Sequence, residues 1–310
     1  MQSTSLRYFL EVVKSGSIAD ASYRLNVASS AISRQIAKLE RELGVELFER
    51  RPRGMVPSAA GEVLSAHARR TMLDAERATA EIKALQVPDR GFVRLASYEG
   101  FAVDILSEAI AGFRKRFPRV TFHLWVGNSV EVAQLIQDGE ADIGTTFNLA
   151  PPRGVKIEQV IRRPMHALIP KHLPLAGLET VTMAQTLEYP VALPDKGRTQ
   201  RHLIDASFAM QGFVVEPVMS TNCISALRRF SDAADCIHFT SAIRTPGRTI
   251  VGEFVAVPVD DEVMTDSVLH ILTMEDRTLP VAVRAFLDML LDDLHPSERG
   301  ELAKPLKAVS

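Results

Sequence analysis

Hydroxyl and cationic side chains are concentrated in one short stretch of this 310-residue sequence, between residues 17 and 53. Short hydroxyl side chains and long cations can bond base edges and phosphates of a nucleic acid. Residues 1–87 hold 13 basic and 10 acidic residues and so carry +3, whereas the whole chain carries −2. An anionic partner is therefore expected for the N-terminal part alone. The candidate nucleic-acid contacts are Ser17, Arg24, Ser29, Ser30, Ser33, Arg34, Lys38, Arg50 and Arg53.

Side chains that usually carry catalysis show no recognisable arrangement. The sequence contains no Walker-type phosphate loop, no His-Glu-x-x-His pair and no Gly-x-Ser-x-Gly elbow. Its eight histidines are scattered without the i, i+4 spacing of a metal pair, so neither a metal site nor a cofactor is expected. Cys223 and Cys236 are more typical of small core residues than of a redox switch. These observations favour a protein that is not an enzyme.

Length and composition indicate a globular protein of about two domains. Hydrophobic residues make up 46% and charged residues 24% of the chain, which is ordinary for such a protein. No apolar run approaches the roughly 18 residues of a membrane span, and residues 1–7 lack the pattern of a secretory signal. A cytoplasmic protein with no membrane partner is expected.

Hydrophobic spacing in the first 44 residues predicts three short helices, broken at Gly16, Asn26 and Gly44. Residues 45–56 alternate in polarity and include turn residues, which predicts a two-stranded hairpin. Residues 1–57 are thus predicted to form an all-α winged helix-turn-helix, in which the second helix of the motif enters the major groove. A three-helix bundle without a ligand is the alternative.

The third helix is the candidate reading helix because its outer face carries hydroxyl, amide and cationic groups. Ser29 or Ser30 is expected to cap its N-terminus, as Ser17 is expected to cap the second helix. Its predicted outward residues are Ser33, Arg34, Gln35 and Lys38, and its predicted inward residues are Ile32, Ile36, Leu39 and Leu43.

Residues 58–87 are predicted to form one long helix with a 3.5-residue apolar repeat. A helix with a thin apolar seam and charges elsewhere requires a partner, which is either a second copy or the chain's own C-terminal domain. Alanines in the seam would permit a close helix–helix approach. The seam consists of Leu64, Ala68, Thr71, Ala75, Ala78, Ile82 and Leu85.

A family resemblance emerges from the N-terminal motifs. They are Phe9, Gly16-Ser17-Ile18, Ala21, Leu25, Ser33-Arg34-Gln35-Ile36, Leu39-Glu40, Leu43-Gly44, Leu47-Phe48-Glu49-Arg50 and Gly61. Their ungapped spacing closely resembles the N-terminal signature of LysR-type transcriptional regulators, although Ser29 stands where many members have Gln. The resemblance implies a homodimer or tetramer paired through the long helix. It further implies binding to operator DNA with two-fold symmetric half-sites, a small-molecule effector and contact with RNA polymerase.

The remaining chain, residues 88–300, alternates strand-like and helical segments, which predicts an α/β domain with parallel strands. Two lobes are expected, with the shape of periplasmic solute-binding proteins. Lobe I comprises 91–160 and 266–295, lobe II comprises 161–265, and 296–310 form a tail. A solute-binding or transport receptor on the same α/β core is the alternative function. The missing secretory signal and the N-terminal ninety residues argue against that alternative.

Ligands of open α/β sheets bind beyond the carboxyl ends of the strands, often at helix N-termini. This rule selects a candidate effector site between the lobes. Arg198 suits a carboxylate, whereas Glu99 suits an amine unless it pairs with Arg198 or faces solvent. A small anionic or zwitterionic metabolite is therefore expected. The candidate effector contacts are Ser97, Glu99, Asn128, Ser129, Thr146, Arg198 and Thr199.

Overall fold

A computed structural model describes most of the chain and divides it into two compact units. One unit contains the chain up to residue 88 together with 276–280, and the other contains the rest. The described residues are 4–51, 54–86, 90–148, 150–241, 247 and 249–294, without the side chains of 50, 51, 80, 81 and 83–86. The predicted tail, 296–310, lies outside them.

The N-terminal unit has the predicted winged helix-turn-helix followed by a long helix. Its elements are α1 (Thr4–Ser15), α2 (Ile18–Leu25), α3 (Ser29–Leu43), β1 (Phe48–Arg51), β2 (Gly54–Pro57) and α4 (Ala59–Gln86). Asn26 and Gly44 end α2 and α3 in the left-handed conformation, with φ of 53° and 69°. The helix breaks therefore lie where the residue types predict them.

The N-terminus of α3 differs from the prediction. Its cap residue is Ala28, so Ser29 and Ser30 are already helical and neither caps the helix. The prediction of a serine cap is wrong because the chain turns into the helix one residue earlier. Both serines are exposed.

A single hydrophobic core holds the helix-turn-helix together. Phe9 and Phe48 meet with ring centroids 5.2 Å apart, and Ile32 and Ile36 of α3 are buried beside them. Leu43 is 52% exposed, so its predicted inward position is wrong. Half-buried Gln35 is also not a free outer residue, because its Oε1 accepts a hydrogen bond from the Ser5 hydroxyl at 2.5 Å.

Two glycines allow the hairpin and α4 to approach this core closely. The Met55 N–H donates to the Gly16 carbonyl at 2.8 Å, and a Cβ on Gly54 would lie 2.5 Å from the same oxygen. A Cβ on Gly61 would lie 2.1 Å from the Leu47 carbonyl oxygen. Any larger residue at either position would push backbone apart.

Helix α4 packs on its own unit at one end and exposes apolar groups further along. Leu64 packs against the helix-turn-helix core, and Ala68 is buried. Ile82 of the predicted seam is 56% exposed, and the side chain of Leu85 is outside the described residues. Leu73, which is not in the seam, is also buried.

The second unit begins and ends in lobe I and contains lobe II as an insertion. It begins with β3 (Gly91–Tyr98), α5 (Glu99–Phe101), a π-helical turn (Ala102–Leu106), α6 (Ser107–Arg116), β4 (Val120–Gly127), α7 (Ser129–Gln137), β5 (Ile143–Phe147) and β6 (Val155–Arg162). Lobe II follows with β7 (His166–Pro170), a 3₁₀ turn (Pro174–Gly177), α8 (Met183–Thr186), β8 (Ala192–Pro194), α9 (Thr199–Met210), β9 (Met219–Thr221), α10 (Ile224–Ala233), β10 (His238–Thr240), β11 (Thr249–Val251), β12 (Phe254–Pro258) and α11 (Glu262–Thr265). The chain returns to lobe I through β13 (Val268–Met274) and α12 (Val281–Leu294).

The two lobes are joined by crossings that run side by side. The Arg163 N–H donates to the Ser267 carbonyl at 2.9 Å, and the Ser267 hydroxyl donates to the Arg163 carbonyl at 2.6 Å. The predicted two-lobed architecture is confirmed, with β6 extending lobe I to Arg162 rather than to residue 160.

The sheets are less parallel than the sequence predicts. The lobe I sheet has the order β4-β3-β5-β13-β6, and only the β3–β4 and β3–β5 pairs are parallel. The four-stranded lobe II sheet, β10-β7-β12-β11, is antiparallel, and the β8–β9 pair is parallel. The return of the chain through β13 places a reversed strand inside lobe I, which strand spacing alone does not reveal.

None of the helices in the described ranges has both the length and the apolar character that crossing a membrane requires.

Candidate nucleic-acid interface and effector cleft

The candidate contacts on α3 form one exposed polar face. Ser29, Ser30, Ser33, Arg34 and Lys38 are all exposed. Arg34 Nε donates to the Ser30 carbonyl at 3.3 Å, and Lys38 lies 3.8 Å from Glu42. Both cationic side chains therefore run along the helix surface. The Arg34 guanidinium keeps further N–H donors that this contact does not use. The first turn has no side-chain cap, and the Ala31 N–H already donates to the Ala28 carbonyl, so the N–H groups of Ser29 and Ser30 and both serine hydroxyls are the groups that suit an anion.

Two other predicted contacts have partners within the N-terminal unit. Ser17 caps α2, because its hydroxyl oxygen accepts hydrogen bonds from the Ala19 and Asp20 N–H groups at 3.2 and 3.3 Å. Arg24 lies 3.6 Å from Glu11. The predictions for the Arg50 side chain and for Arg53 lie outside the described residues.

Three of the predicted effector contacts serve the structure of lobe I. The Ser97 hydroxyl is fully buried, lies 2.6 Å from the Thr145 hydroxyl and donates to the Tyr98 carbonyl. The Ser129 hydroxyl accepts from the Phe147 N–H at 3.0 Å. Asn128 caps α7 through a reciprocal pair of hydrogen bonds with Glu131. Each of these polar groups is therefore used to position a strand end or a helix start.

Other hydroxyls at the same strand ends have no such role. The Thr146 hydroxyl is buried without a hydrogen-bond partner among the described residues. Ser97 and Thr145 are paired on the parallel strands β3 and β5, so Tyr98 and Thr146 are the next residues of both strands. Burial raises the pKa of Tyr98 to about 12, although a side-chain hydrogen bond with Ser241 and the charge of Arg163 oppose the shift. Tyr98 is therefore a neutral hydrogen-bond donor.

Arg198 connects the two lobes. Its Nη1 donates to the Gly127 carbonyl of lobe I at 3.4 Å, and its Nη2 donates to the Asn222 carbonyl of lobe II. Thr199, the first residue of α9, is half-buried beside it. The guanidinium is thus held between the two lobes by carbonyl groups, and its remaining donors suit an anion.

Glu99 also connects the lobes, and its partners differ from those expected. Its Oε2 accepts from the Ile224 N–H at 2.8 Å, and its Oε1 accepts from the N–H and the hydroxyl of Ser225, both at 2.9 Å. Partial burial alone would raise the pKa of Glu99, but hydrogen bonds from Ile224, Ser225 and Cys223 outweigh it and lower the pKa below its usual value. Glu99 neither pairs with Arg198 nor simply faces solvent, because the start of α10 holds it. Its role as the partner of a ligand amine stays a prediction.

A second carboxylate reaches α10 from the π-helical turn that follows α5. Asp104 accepts two hydrogen bonds from Arg228, at 3.0 and 2.8 Å. The hydrogen bonds from Arg228 to Asp104 raise the pKa of Arg228. No sequence motif points to Asp104, Ser225 or Arg228, since their partners lie more than a hundred positions away along the chain.

The two cysteines form no disulfide with each other. Cys223 is exposed and Cys236 is buried, and both are free thiols. Within the part of the chain that is described, no group of three or more His, Cys, Asp or Glu residues could hold a metal ion.

Comparison with known proteins places both units in one family. Residues 3–62 match the model of the bacterial regulatory helix-turn-helix protein, lysR family, and residues 87–295 match the LysR substrate binding domain. The regulator SsuR of Burkholderia cenocepacia is 29% identical over 227 residues, which cover 71% of this chain and 72% of SsuR. The uncharacterised regulator YfeR of Shigella flexneri is 23% identical over 97% of both chains.

Solved structures of full-length regulators share the fold. An OxyR variant from Pseudomonas aeruginosa aligns over 99% of both chains with a TM-score of 0.64 and 16% identity. CbnR in complex with its target DNA aligns over 94% of this chain and all of CbnR, with a TM-score of 0.55 and 19% identity. With a helix-turn-helix model and an effector-domain model both matched, the chain belongs to the LysR-type family of DNA-binding transcriptional regulators.

Proposed function

We propose that α3 reads operator DNA in the major groove through Ser29, Ser30, Ser33, Arg34 and Lys38. The observation that carries this proposal is the exposed polar face of a helix whose first turn lacks a side-chain cap. Early residues of a reading helix meet base edges, and free N–H groups at a helix start bind phosphate. Arg50 and Arg53 of the hairpin are proposed to contact the DNA backbone. Ser17 and Arg24 are proposed to contact the DNA at the edge of the helix-turn-helix motif.

Replacing Arg34 by Ala tests this role. If Arg34 bonds a base edge, the loss is about 1–3 kcal/mol, or roughly 5- to 150-fold in operator affinity. Affinity for unrelated DNA should fall much less, because a base contact adds little to binding that depends on phosphate. Band-shift titrations at two salt concentrations, on DNA from beside the regulator's own gene and on unrelated DNA, measure both affinities.

Arg41→Ala is the matched control for Arg34→Ala. Arg41 is an exposed arginine near the end of the same helix, where its Nε donates to the Ala37 carbonyl. Its removal takes away the same charge, so it should weaken operator and unrelated DNA alike and leave their ratio unchanged. An unchanged ratio in Arg34→Ala as well would exclude Arg34 from base recognition.

The second unit is proposed to sense a small anionic metabolite between its lobes. Arg198, with Thr199 beside it, supplies the cationic group, and the buried hydroxyls of Tyr98 and Thr146 supply neutral hydrogen bonds. A ligand that contacts both lobes favours one lobe arrangement and can thereby shift the regulator. An amine on the ligand is not part of this proposal, because Glu99, the carboxylate expected to bind it, accepts hydrogen bonds from α10.

A homodimer or higher oligomer is proposed to present two reading helices to an operator with two-fold symmetric half-sites. Activation by such a complex would add RNA polymerase as a partner. The alternative of a solute-binding receptor leaves the N-terminal unit without a role, whereas a regulator uses both units.

A further inference from the structure

The start of α10 forms a site for a carboxylate, and the chain itself fills it. We use the term α10 seat for the N–H groups of Ile224 and Ser225 together with the Ser225 hydroxyl. These groups donate to Glu99 at 2.8 to 2.9 Å, and the Cys223 thiol lies 3.7 Å from the same carboxylate. Several short hydrogen bonds at a helix N-terminus are the usual arrangement for binding an oxyanion.

The carboxylate in the α10 seat comes from the opposite lobe. Glu99 is the first residue of α5 in lobe I, whereas α10 belongs to lobe II. The Asp104–Arg228 pair runs parallel to this contact, between the next turn of lobe I and the next turn of α10. Glu99 thus links lobe I to the start of α10 through the same hydrogen bonds that the carboxylate of a bound ligand would form.

A buried polar side chain beside α10 lacks a protein partner. Both ring nitrogens of His238 are buried without a hydrogen-bond partner among the described residues. His238 begins β10, which packs against α10. Buried polar atoms without partners cost free energy unless something outside the chain bonds them. Together with the α10 seat, His238 marks the α10 side of the lobe junction as a binding region.

We propose that Glu99 determines which ligands the cleft accepts, by occupying the α10 seat and excluding the carboxylate or oxyanion group of an external ligand. Two carboxylates cannot share one set of donors, and their like charges repel at such a distance. The accepted ligand would carry its anionic group at Arg198 and an uncharged end towards α10. This inference rests on the proposed function, because it assumes that the effector binds between the lobes.

Replacing Glu99 by Ala and supplying acetate in solution tests the proposal. Trp125 is the only tryptophan of the chain. A Cβ on Gly127 would lie 1.9 Å from the Trp125 ring, so the ring lies over Gly127. The Gly127 carbonyl in turn accepts a hydrogen bond from Arg198. The fluorescence of Trp125 therefore reports on the cleft. In the full-length Glu99→Ala protein, acetate at constant ionic strength should give a saturable fluorescence change and recover part of a lowered Tm. In the wild-type protein, acetate should give neither effect.

Two further variants distinguish acetate binding in the α10 seat from a general effect of acetate on protein stability. Ile224 occupies the first position of α10, where proline is well tolerated but has no N–H. Adding Ile224→Pro to Glu99→Ala should therefore abolish the acetate response while the helix remains. Glu99→Gln, which keeps the side-chain volume, should lower the Tm without gaining an acetate response, and it serves as the test if Glu99→Ala does not fold.

An equal acetate response in the wild-type and Glu99→Ala proteins would overturn the proposal. So would the absence of a response in Glu99→Ala, because an empty α10 seat would then not bind a carboxylate. Operator binding by the wild-type protein is measured in the same preparation. A failed acetate test with intact operator binding rejects the role of Glu99 alone, whereas absent operator binding rejects the proposed function.

Discussion

Three charged residues at the junction of the two lobes are held by protein partners. Glu99 is held by backbone N–H groups, Asp104 by Arg228, and Arg198 by carbonyl oxygens of both lobes. A carboxylate or guanidinium that is bonded in this way keeps its orientation. Selectivity for a ligand then depends on which donors and acceptors remain, and not on the number of charged residues in the cleft.

His238 makes the stability of the effector unit depend on pH. The side chain is 1% exposed, and burial, aided by the charge of Arg228, lowers the pKa of His238 from 6.5 to about 3. The unfolded chain binds a proton near pH 6.5, whereas the folded chain does not until about pH 3. The stabilising contribution of neutral His238 is therefore complete above pH 6.5 and is lost, at about 1.4 kcal/mol per pH unit, as the pH falls towards 3.

Replacing His238 by Phe should remove this part of the acid sensitivity. The ring of His238 packs edge-on against Phe254 with centroids 5.0 Å apart, a contact that Phe can retain. Urea unfolding of both proteins, followed by Trp125 fluorescence at several pH values below 6.5, gives the free energy of unfolding of the effector unit. Identical pH slopes in the two proteins would show that His238 takes up no proton on unfolding.

At the scale of whole elements, α4 combines two surfaces. Its first turns pack on the helix-turn-helix core through Leu64, and its later turns leave Ile82 exposed. A helix of 28 residues spans roughly 42 Å, far more than a small helical domain needs for its own packing. The exposed Ile82 beyond this packed end therefore suits a partner helix from a second copy.

Introducing a charge at Ile82 tests this pairing. Because Ile82 is 56% exposed in one protomer, Ile82→Asp should leave the protomer folded, yet in a dimer seam it would bury an unpaired carboxylate. The dimer Kd should rise by about tenfold or more, and operator affinity should fall with it. Light scattering over a concentration series measures the mass.

Ala66→Asp is the control for the seam variant. Ala66 is exposed on α4 but lies outside the 3.5-residue repeat, so a charge there should remain in water. Its mass and operator affinity should match those of the wild-type protein. A fully dimeric Ile82→Asp protein that binds its operator normally would exclude this part of α4 as the dimer seam.

At the scale of the whole molecule, the groups proposed to read DNA and those proposed to bind the effector belong to different compact units. A change in one unit should therefore leave the local structure of the other intact. Arg198→Ala should abolish the response to an anionic effector, since it removes the cation that both lobes hold, while operator binding without effector remains.

A panel of monocarboxylates, dicarboxylates, amino acids and inorganic oxyanions, screened by thermal shift, would supply the ligand for the Arg198 experiment. Band-shift titrations with and without the stabilising compound then give the response of each protein. The control is Arg229→Ala, which removes an arginine that is 86% exposed on α10. Equal responses in the Arg198 and Arg229 variants would place the anion elsewhere.

Features that depend on neighbouring residues could be predicted from residue types and spacing. The ends of α2 and α3 at Asn26 and Gly44 follow from the left-handed conformation that these residue types tolerate, and Ser17 caps α2 as its position predicts. The hairpin, the long helix and the family motifs also lie within short spans of chain. Each of these depends on contacts a few residues apart, which residue type and spacing specify directly.

The use of the polar residues in the second unit follows from contacts between distant parts of the chain. Strand ends predict Ser97 and Ser129 as effector contacts, yet packing buries both within lobe I, and the reversed strand β13 could not be inferred from spacing. Glu99 meets N–H groups about 125 positions away, and every residue except proline carries such a group. Backbone donors have no signature in the sequence, so the partner of Glu99 is fixed by the way the lobes bring α5 against α10.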